Sequence, residues 1–136
     1  MNIIPYYGII KEKKIKKRIK EGPFMCTESQ LFIIESQIVE IYRSVFGSDI
    51  VEILLYGSYA RGDYDSESDI DIAAIVHGER STLQKKLKIV WDKAADIGFD
   101  NDVVVSPTVI PAQEYDEYKS RLPYYRNIAM EGKKIG

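Results

Sequence analysis

Two aspartates, Asp69 and Asp71, flank a single isoleucine at the mouth of an apolar run that ends near Val76. The run is short, rich in Ile, Val and Ala, and closed by His77-Gly78, which predicts a strand. Side chains in a strand alternate faces, so Asp69 and Asp71 point one way and Ile70 and Ile72 the other. Two carboxylates that close raise each other's pKa and are costly unless a positive charge lies between them. A divalent cation is the simplest compensation, and oxygen-only ligation suits magnesium or manganese better than zinc. Ahead of this pair, Gly57-Ser58 breaks another apolar run, Ile53 to Tyr56. Glycine lets the backbone turn sharply and approach a ligand closely. Backbone N–H groups at such a turn favour anions such as phosphate. A phosphate cradle beside a metal-binding carboxylate pair is equipment for phosphoryl or nucleotidyl transfer.

The elements that must position these residues follow from periodicity. Thr27-Glu28-Ser29-Gln30 has the spacing of a capping box, with Cys26 and Leu31 at the positions of a hydrophobic staple. The helix it opens runs to about Phe46, with Leu31, Ile34, Ile38, Ile41, Tyr42 and Val45 as its core stripe and Gly47 as its stop. The first strand follows, from about Ile50 to Tyr56. After the second strand, Ser81 to about Ile97 reads as a helix with Leu83, Leu87, Val90, Trp91, Ala94 and Ile97 on one stripe, and Gly98 stops it. Trp91 on that stripe reads as core. Val103 to Val105 form a third short strand, stopped by Pro107, with Asp102 at its entry and Asp100 at the same parity. Pro111 and Pro123 suit the starts of two short helices, about Ala112 to Ser120 and Tyr124 to Glu131. Lys133 and Lys134 lie past the negative end of the last helix. The order is that of an α/β domain with a small sheet, helices packed on it, and the site at one edge.

Gly57-Ser58-Tyr59-Ala60-Arg61-Gly62, followed by Ser68-Asp69-Ile70-Asp71 with ten residues between Ser58 and Asp69, resembles the signature of polymerase-beta-type nucleotidyltransferases, and in particular the small branch called minimal nucleotidyltransferases. The resemblance implies a mixed sheet of the nucleotidyltransferase, palm-like type. It implies ATP with its phosphates at Gly57 and Ser58, Arg61 reaching a phosphate, and Asp69 and Asp71 holding magnesium. Two ions are expected on this pattern, about 3.5–4 Å apart. A third carboxylate comes from a later strand in that family. Asp102 fits the place, sharing the second metal or taking the acceptor's proton, and Asp100 competes with it. Minimal nucleotidyltransferases are commonly paired with small helical HEPN proteins, as antitoxins that transfer AMP onto a tyrosine of the toxin. The resemblance therefore implies protein adenylylation. The alternatives are a non-catalytic module that neutralises or scaffolds a partner, and nucleotidyl transfer to a small molecule or an RNA end.

Composition sets the remaining bounds. The chain has 136 residues, 45% hydrophobic and 29% charged, with a net charge of −2, so global charge does not announce a nucleic-acid binder. Its single cysteine, Cys26, excludes an intrachain disulfide and fits a reducing cytoplasm. No apolar run approaches the roughly 20 residues needed to span a bilayer, and the N-terminus lacks the order of a signal peptide. A soluble, cytoplasmic protein is expected. Residues 1–22 form an N-terminal arm, basic over 11–20, and residues 23–136 the nucleotidyltransferase domain. The tyrosines Tyr115, Tyr118, Tyr124 and Tyr125 mark either a partner surface or a thin core finished with amphipathic rings.

Overall fold

The computed structural model describes residues 26–136. Helix α1 spans Glu28–Phe46. Its capping box forms as the sequence predicts: the Gln30 N–H donates to Thr27 Oγ1 at 3.1 Å, and the Thr27 N–H to Gln30 Oε1 at 3.4 Å. A 3₁₀ turn, Gly47–Asp49, leads into β1, Ile50–Tyr56. A short helix α2, Ser58–Arg61, precedes β2, Ile70–Val76. Then come α3, Arg80–Asn101, and β3, Val105–Pro111. Helices α4, Ala112–Tyr118, and α5, Pro123–Glu131, lead to β4, Lys133–Lys134.

The sheet order is β3-β2-β1-β4. Strand β2 pairs antiparallel with β1 and parallel with β3, and β4 pairs antiparallel with β1. The sheet is therefore mixed. Helices lie on both faces. Ile34, Ile38, Tyr42 and Phe46 of α1 and Leu83, Leu87, Val90 and Ala94 of α3 pack on one face against Ile53, Leu55, Ile70, Ile72 and Ala74. Cys26 is buried in this layer, and Trp91 lies half-buried against it. On the other face Ala112, Tyr115 and Ile128 of α4 and α5 cover Leu54, Ala73, Ile75 and Ile110. Strands covered on both faces explain why β2 reads as a continuous apolar run rather than an alternating one.

Several boundaries differ from the sequence expectation, each for a physical reason. Helix α3 does not stop at Gly98 but continues to Asn101, and Asp102 caps it in the left-handed region (φ 54°, ψ 41°). Gly98 serves a close approach instead: a Cβ there would lie 2.6 Å from the Val103 carbonyl oxygen, where the chain folds back over the helix end. Asp102 is thus a helix cap, not a strand entry. The third strand is not Val103–Val105; it begins at Val105 and passes through Pro107. The Val104 carbonyl accepts from the Ile70 N–H at 2.8 Å, so even-numbered residues present their backbone polar groups to β2 and Pro107 presents its nitrogen to the open edge. Proline is tolerated there because no ladder hydrogen bond is lost.

At Thr108 a side chain enters the ladder. The Thr108 N–H donates to the Tyr42 hydroxyl at 3.0 Å, and that hydroxyl lies 2.9 Å from the Ile72 carbonyl and 2.8 Å from the Thr108 carbonyl. A core residue of α1 thereby satisfies backbone groups between two strands. Helix α4 ends at Tyr118 rather than Ser120, and α5 takes Pro123 as its first residue. Lys133 and Lys134 are a strand, paired with Leu55 and Leu54. Among the described residues no helix is long and apolar enough to cross a membrane. The arm 1–22 lies outside the described residues.

Candidate active site

The candidate residues lie at the ends of the two inner strands rather than on an edge strand. Tyr56 closes β1 and pairs in register with Asp71 near the start of β2, which pairs in turn with Ser106 of β3. Residues paired this way share a face of the sheet. Ile70 and Ile72 belong to the core under α1 and α3, so Asp71 faces the layer of α4 and α5, as the parity of the sequence requires. Asp69 lies just before β2 on the same parity.

Burial and the charge of Asp69 push the Asp71 carboxyl up from the ordinary aspartate value to about 6, while Arg61 pulls it partly back. Both causes disfavour the charged form and are what a bound cation would relieve. The donor set is all oxygen, which fits magnesium.

Gly57 turns the chain out of β1 with φ 75° and ψ −156°, a conformation L side chains rarely adopt. It also lies hard against the second aspartate, since a Cβ at Gly57 would collide with Asp71 Oδ2. The turn and the Asp71 carboxylate are thus in direct contact. Helix α2 then fixes the turn. Its Ala60 and Arg61 N–H groups donate to the Gly57 carbonyl at 3.1 and 3.0 Å, and Tyr59 and Ala60 are buried in the core. Tyr64 stacks on Tyr59 with ring centroids 4.1 Å apart and planes 8° apart, which anchors the loop after α2. Asp65 and Ser68 close that loop: the Asp65 N–H donates to Ser68 Oγ at 2.9 Å, and the Glu67 N–H to Asp65 Oδ1 at 2.8 Å. Ser68 therefore caps the turn that delivers Asp69.

Arg61 does not stand alone. Its Nη1 donates to Glu131 Oε2 of α5 at 2.7 Å, and its Nε to the Asp63 carboxylate at 3.2 Å. The guanidinium thus links α2 to the last residue of α5, over the face that carries Asp71.

Asp102 is 7% exposed and sits at the α3 cap, not in the row of Asp71. Asp100 is exposed and still within α3. Among the described residues no three His, Cys, Asp or Glu side chains gather where they could hold a metal ion. The structure brings Gly57, Ser58, Asp69 and Asp71 together and places Arg61 near them, but does not add Asp102 to the group. What stands beside Asp71 is Ser106, a residue that sequence reasoning passes over because only the strand register reveals it. Tyr56 is a second residue that stands beside Asp71. Its position as last residue of the first strand, in line with the aspartates across a hairpin, was the available signal. Burial and the Tyr124 hydrogen bond raise its phenol well above the usual tyrosine range, the nearby charge of Asp71 adding to the effect.

Comparison with known proteins identifies the family. Residues 35–135 match the family model described as a nucleotidyltransferase domain. A Methanocaldococcus jannaschii protein provisionally named protein adenylyltransferase MJ0141 is 41% identical over 81 residues, covering 54% of this chain and 79% of that protein. A second from the same organism, provisionally named protein adenylyltransferase MJ0604, is 31% identical over 99 residues, covering 73% of this chain and 91% of the other. Among solved structures, a toxin–antitoxin complex, MntA–HpeT, aligns with a TM-score of 0.49 and 19% identity over 75% of this chain and 72% of the solved one. The chain belongs to the nucleotidyltransferase domain family.

Proposed function

We propose that this chain moves AMP from ATP to a hydroxyl of a protein acceptor in a magnesium-dependent reaction, and that the acceptor is a tyrosine of a small helical HEPN-type toxin, which the modification silences. The observation that carries the reading is the contact between Gly57 and the Asp71 carboxylate. It supports reading the turn as the phosphate seat and Asp71 as the metal ligand of one site. The adenylyltransferase names of the relatives support the choice of a protein acceptor, and the resemblance of the Gly57–Gly62 and Ser68–Asp71 strings to minimal nucleotidyltransferases supports the choice of toxin.

Asp69 and Asp71 would hold magnesium, which when bound neutralises charge on the phosphates and on the departing pyrophosphate. The backbone at Gly57-Ser58 and the Ser58 hydroxyl seat the triphosphate. Arg61, on the adjoining turn of α2, reaches a phosphate by exchanging one of its carboxylate partners for it. The acceptor hydroxyl gives up its proton to solvent as its oxygen bonds to the α-phosphorus, the bond to the β-phosphate oxygen breaks, and pyrophosphate leaves. Asp102 has no place on the reacting face in this scheme, and Ser106 lies beside Asp71 to orient the acceptor hydroxyl.

The test is transfer of label from α-labelled ATP, with magnesium, into an extract of the source cell, comparing the wild type with Asp71→Ala. A discrete labelled protein band, lost in the variant, is expected. Label moving instead into RNA or a small molecule keeps the chemistry and overturns the acceptor. Absence of label with both proteins, together with no magnesium-dependent ATP binding in calorimetry, points to a non-catalytic binding module.

A further inference from the structure

The face that carries Asp71 also carries a group of phenols the reaction scheme does not use. Tyr56, the register neighbour of Asp71, has its hydroxyl 3.2 Å from the hydroxyl of Tyr124 in α5. Tyr124 meets Tyr56 edge-on, with centroids 6.3 Å apart and planes at 89°. It meets Tyr125 the same way, at 5.6 Å and 84°. Tyr125 is itself fixed, its hydroxyl donating to Glu114 Oε2 at 2.7 Å. At the other end of α5, Glu131 is tied to Arg61 of α2. The ring of Tyr124 is thus held between two others on a helix anchored at both ends, yet the residue is 50% exposed. A phenol fixed in position and open to solvent, one hydroxyl removed from the ring that flanks Asp71, has the chemistry and the placement of a nucleotidyl acceptor.

We propose that Tyr124 is an acceptor within the chain, so that the protein adenylylates itself at this hydroxyl. The inference rests on the reading of the chain as an adenylyltransferase and names a second substrate for the same site. In the step, the Tyr124 oxygen bonds to the α-phosphorus of ATP and the bond to the β-phosphate oxygen breaks. Pyrophosphate leaves with its electron pair, and the phenolic proton passes through the Tyr56 hydroxyl to solvent. The product is a phosphodiester on Tyr124, which adds a negative charge and a nucleoside to the face an external acceptor must approach. Self-modified chains therefore transfer to a partner more slowly than fresh ones.

The experiment incubates the full chain with α-labelled ATP and magnesium, alone and with an extract of the source cell, as wild type, Tyr124→Phe and Asp71→Asn. The phenylalanine keeps the ring contacts and removes only the hydroxyl, so folding is preserved, and matched circular dichroism spectra verify it. The expected result is AMP on Tyr124, located by peptide mass spectrometry, at a fractional rate unchanged by dilution of the protein. Label on the chain is lost in both variants, while Tyr124→Phe still labels the extract protein. An adduct on a different residue, a fractional rate that falls with dilution, or a labelled extract beside an unlabelled chain would each overturn the inference and leave the transferase reading standing. No label in the chain overturns the inference whatever the extract shows, and no label in either, with no magnesium-dependent ATP binding in calorimetry, sinks the transferase reading as well.

Discussion

Asp71 is held where burial and the charge of Asp69 both work against its ionised form. Its folded pKa is raised from 3.8 to about 6, so the folded state binds the proton more tightly than the unfolded state. In metal-free buffer this contribution to stability is fully present below the unfolded pKa and is lost as pH rises through about 6. A shift of this size is at most about 3 kcal/mol, and partial exposure reduces it to about 1–2 kcal/mol. Asp71→Asn is therefore expected to melt higher than the wild type at pH 8 without magnesium, by about 1–2 kcal/mol, and to equal it near pH 4. Thermal melts at the two pH values check this. The same variant should lose transfer activity by about a thousandfold or more. Gly57→Ala meets both an unfavourable φ and the Asp71 carboxylate, and should cost about 2 kcal/mol or more and abolish ATP binding. If the alanine variant binds ATP normally in calorimetry, the phosphate seat is not at this turn. Ser58→Ala should weaken nucleotide use less than loss of either aspartate, because the backbone groups of the turn remain.

At the scale of elements, the parallel pairing of β2 with β3 depends on a side chain from beneath the sheet. The Tyr42 hydroxyl takes the Thr108 N–H and lies against the Ile72 carbonyl. Tyr42→Phe leaves these buried groups unmatched and should destabilise by about 1–3 kcal/mol in chemical denaturation, with the loss of amide protection concentrated at Thr108. A variant as stable as the wild type would show that the strands re-pair directly. The join of α3 to β3 is as exacting, because Gly98 lies under the Val103 carbonyl. Gly98→Ala gains about 1 kcal/mol of helix propensity, but the steric conflict outweighs it, and a net loss of about 1–3 kcal/mol is expected in the same assay.

For the whole molecule, the match to the nucleotidyltransferase domain covers 35–135, which leaves the basic arm outside it. Removing residues 1–22 should leave ATP binding intact when measured by calorimetry. Lost binding would make the arm part of the site. The C-terminal layer matters more. Helix α5 covers one face of the sheet through Ile128, contributes Tyr124 beside Tyr56, and reaches Arg61 through Glu131. Strand β4 then pairs its lysines with Leu54 and Leu55, and the Ile53 N–H donates to the Gly136 carbonyl at 2.8 Å. The last residues of the chain thus frame the site that its middle supplies.

The sequence by itself determined the local chemistry. The capping box at Thr27, the stripe of α1, the turn at Gly57 and the parity that points Asp69 and Asp71 one way are short-range facts, set by periodicity and by the steric freedom of glycine. The family was legible for the same reason, since its signature lies within one hairpin. Only the tertiary structure decided what long-range register controls: that Ser106, not Asp102, stands beside Asp71, that Pro107 lies in a strand because that strand is at an edge, and that Glu131 meets Arg61. A carboxylate before three valines reads as a strand entry at Asp102, whereas the helix before it continues until the returning chain needs a left-handed residue. Pairing between strands and the packing of α5 join residues distant in sequence, and no local pattern encodes which of them will meet.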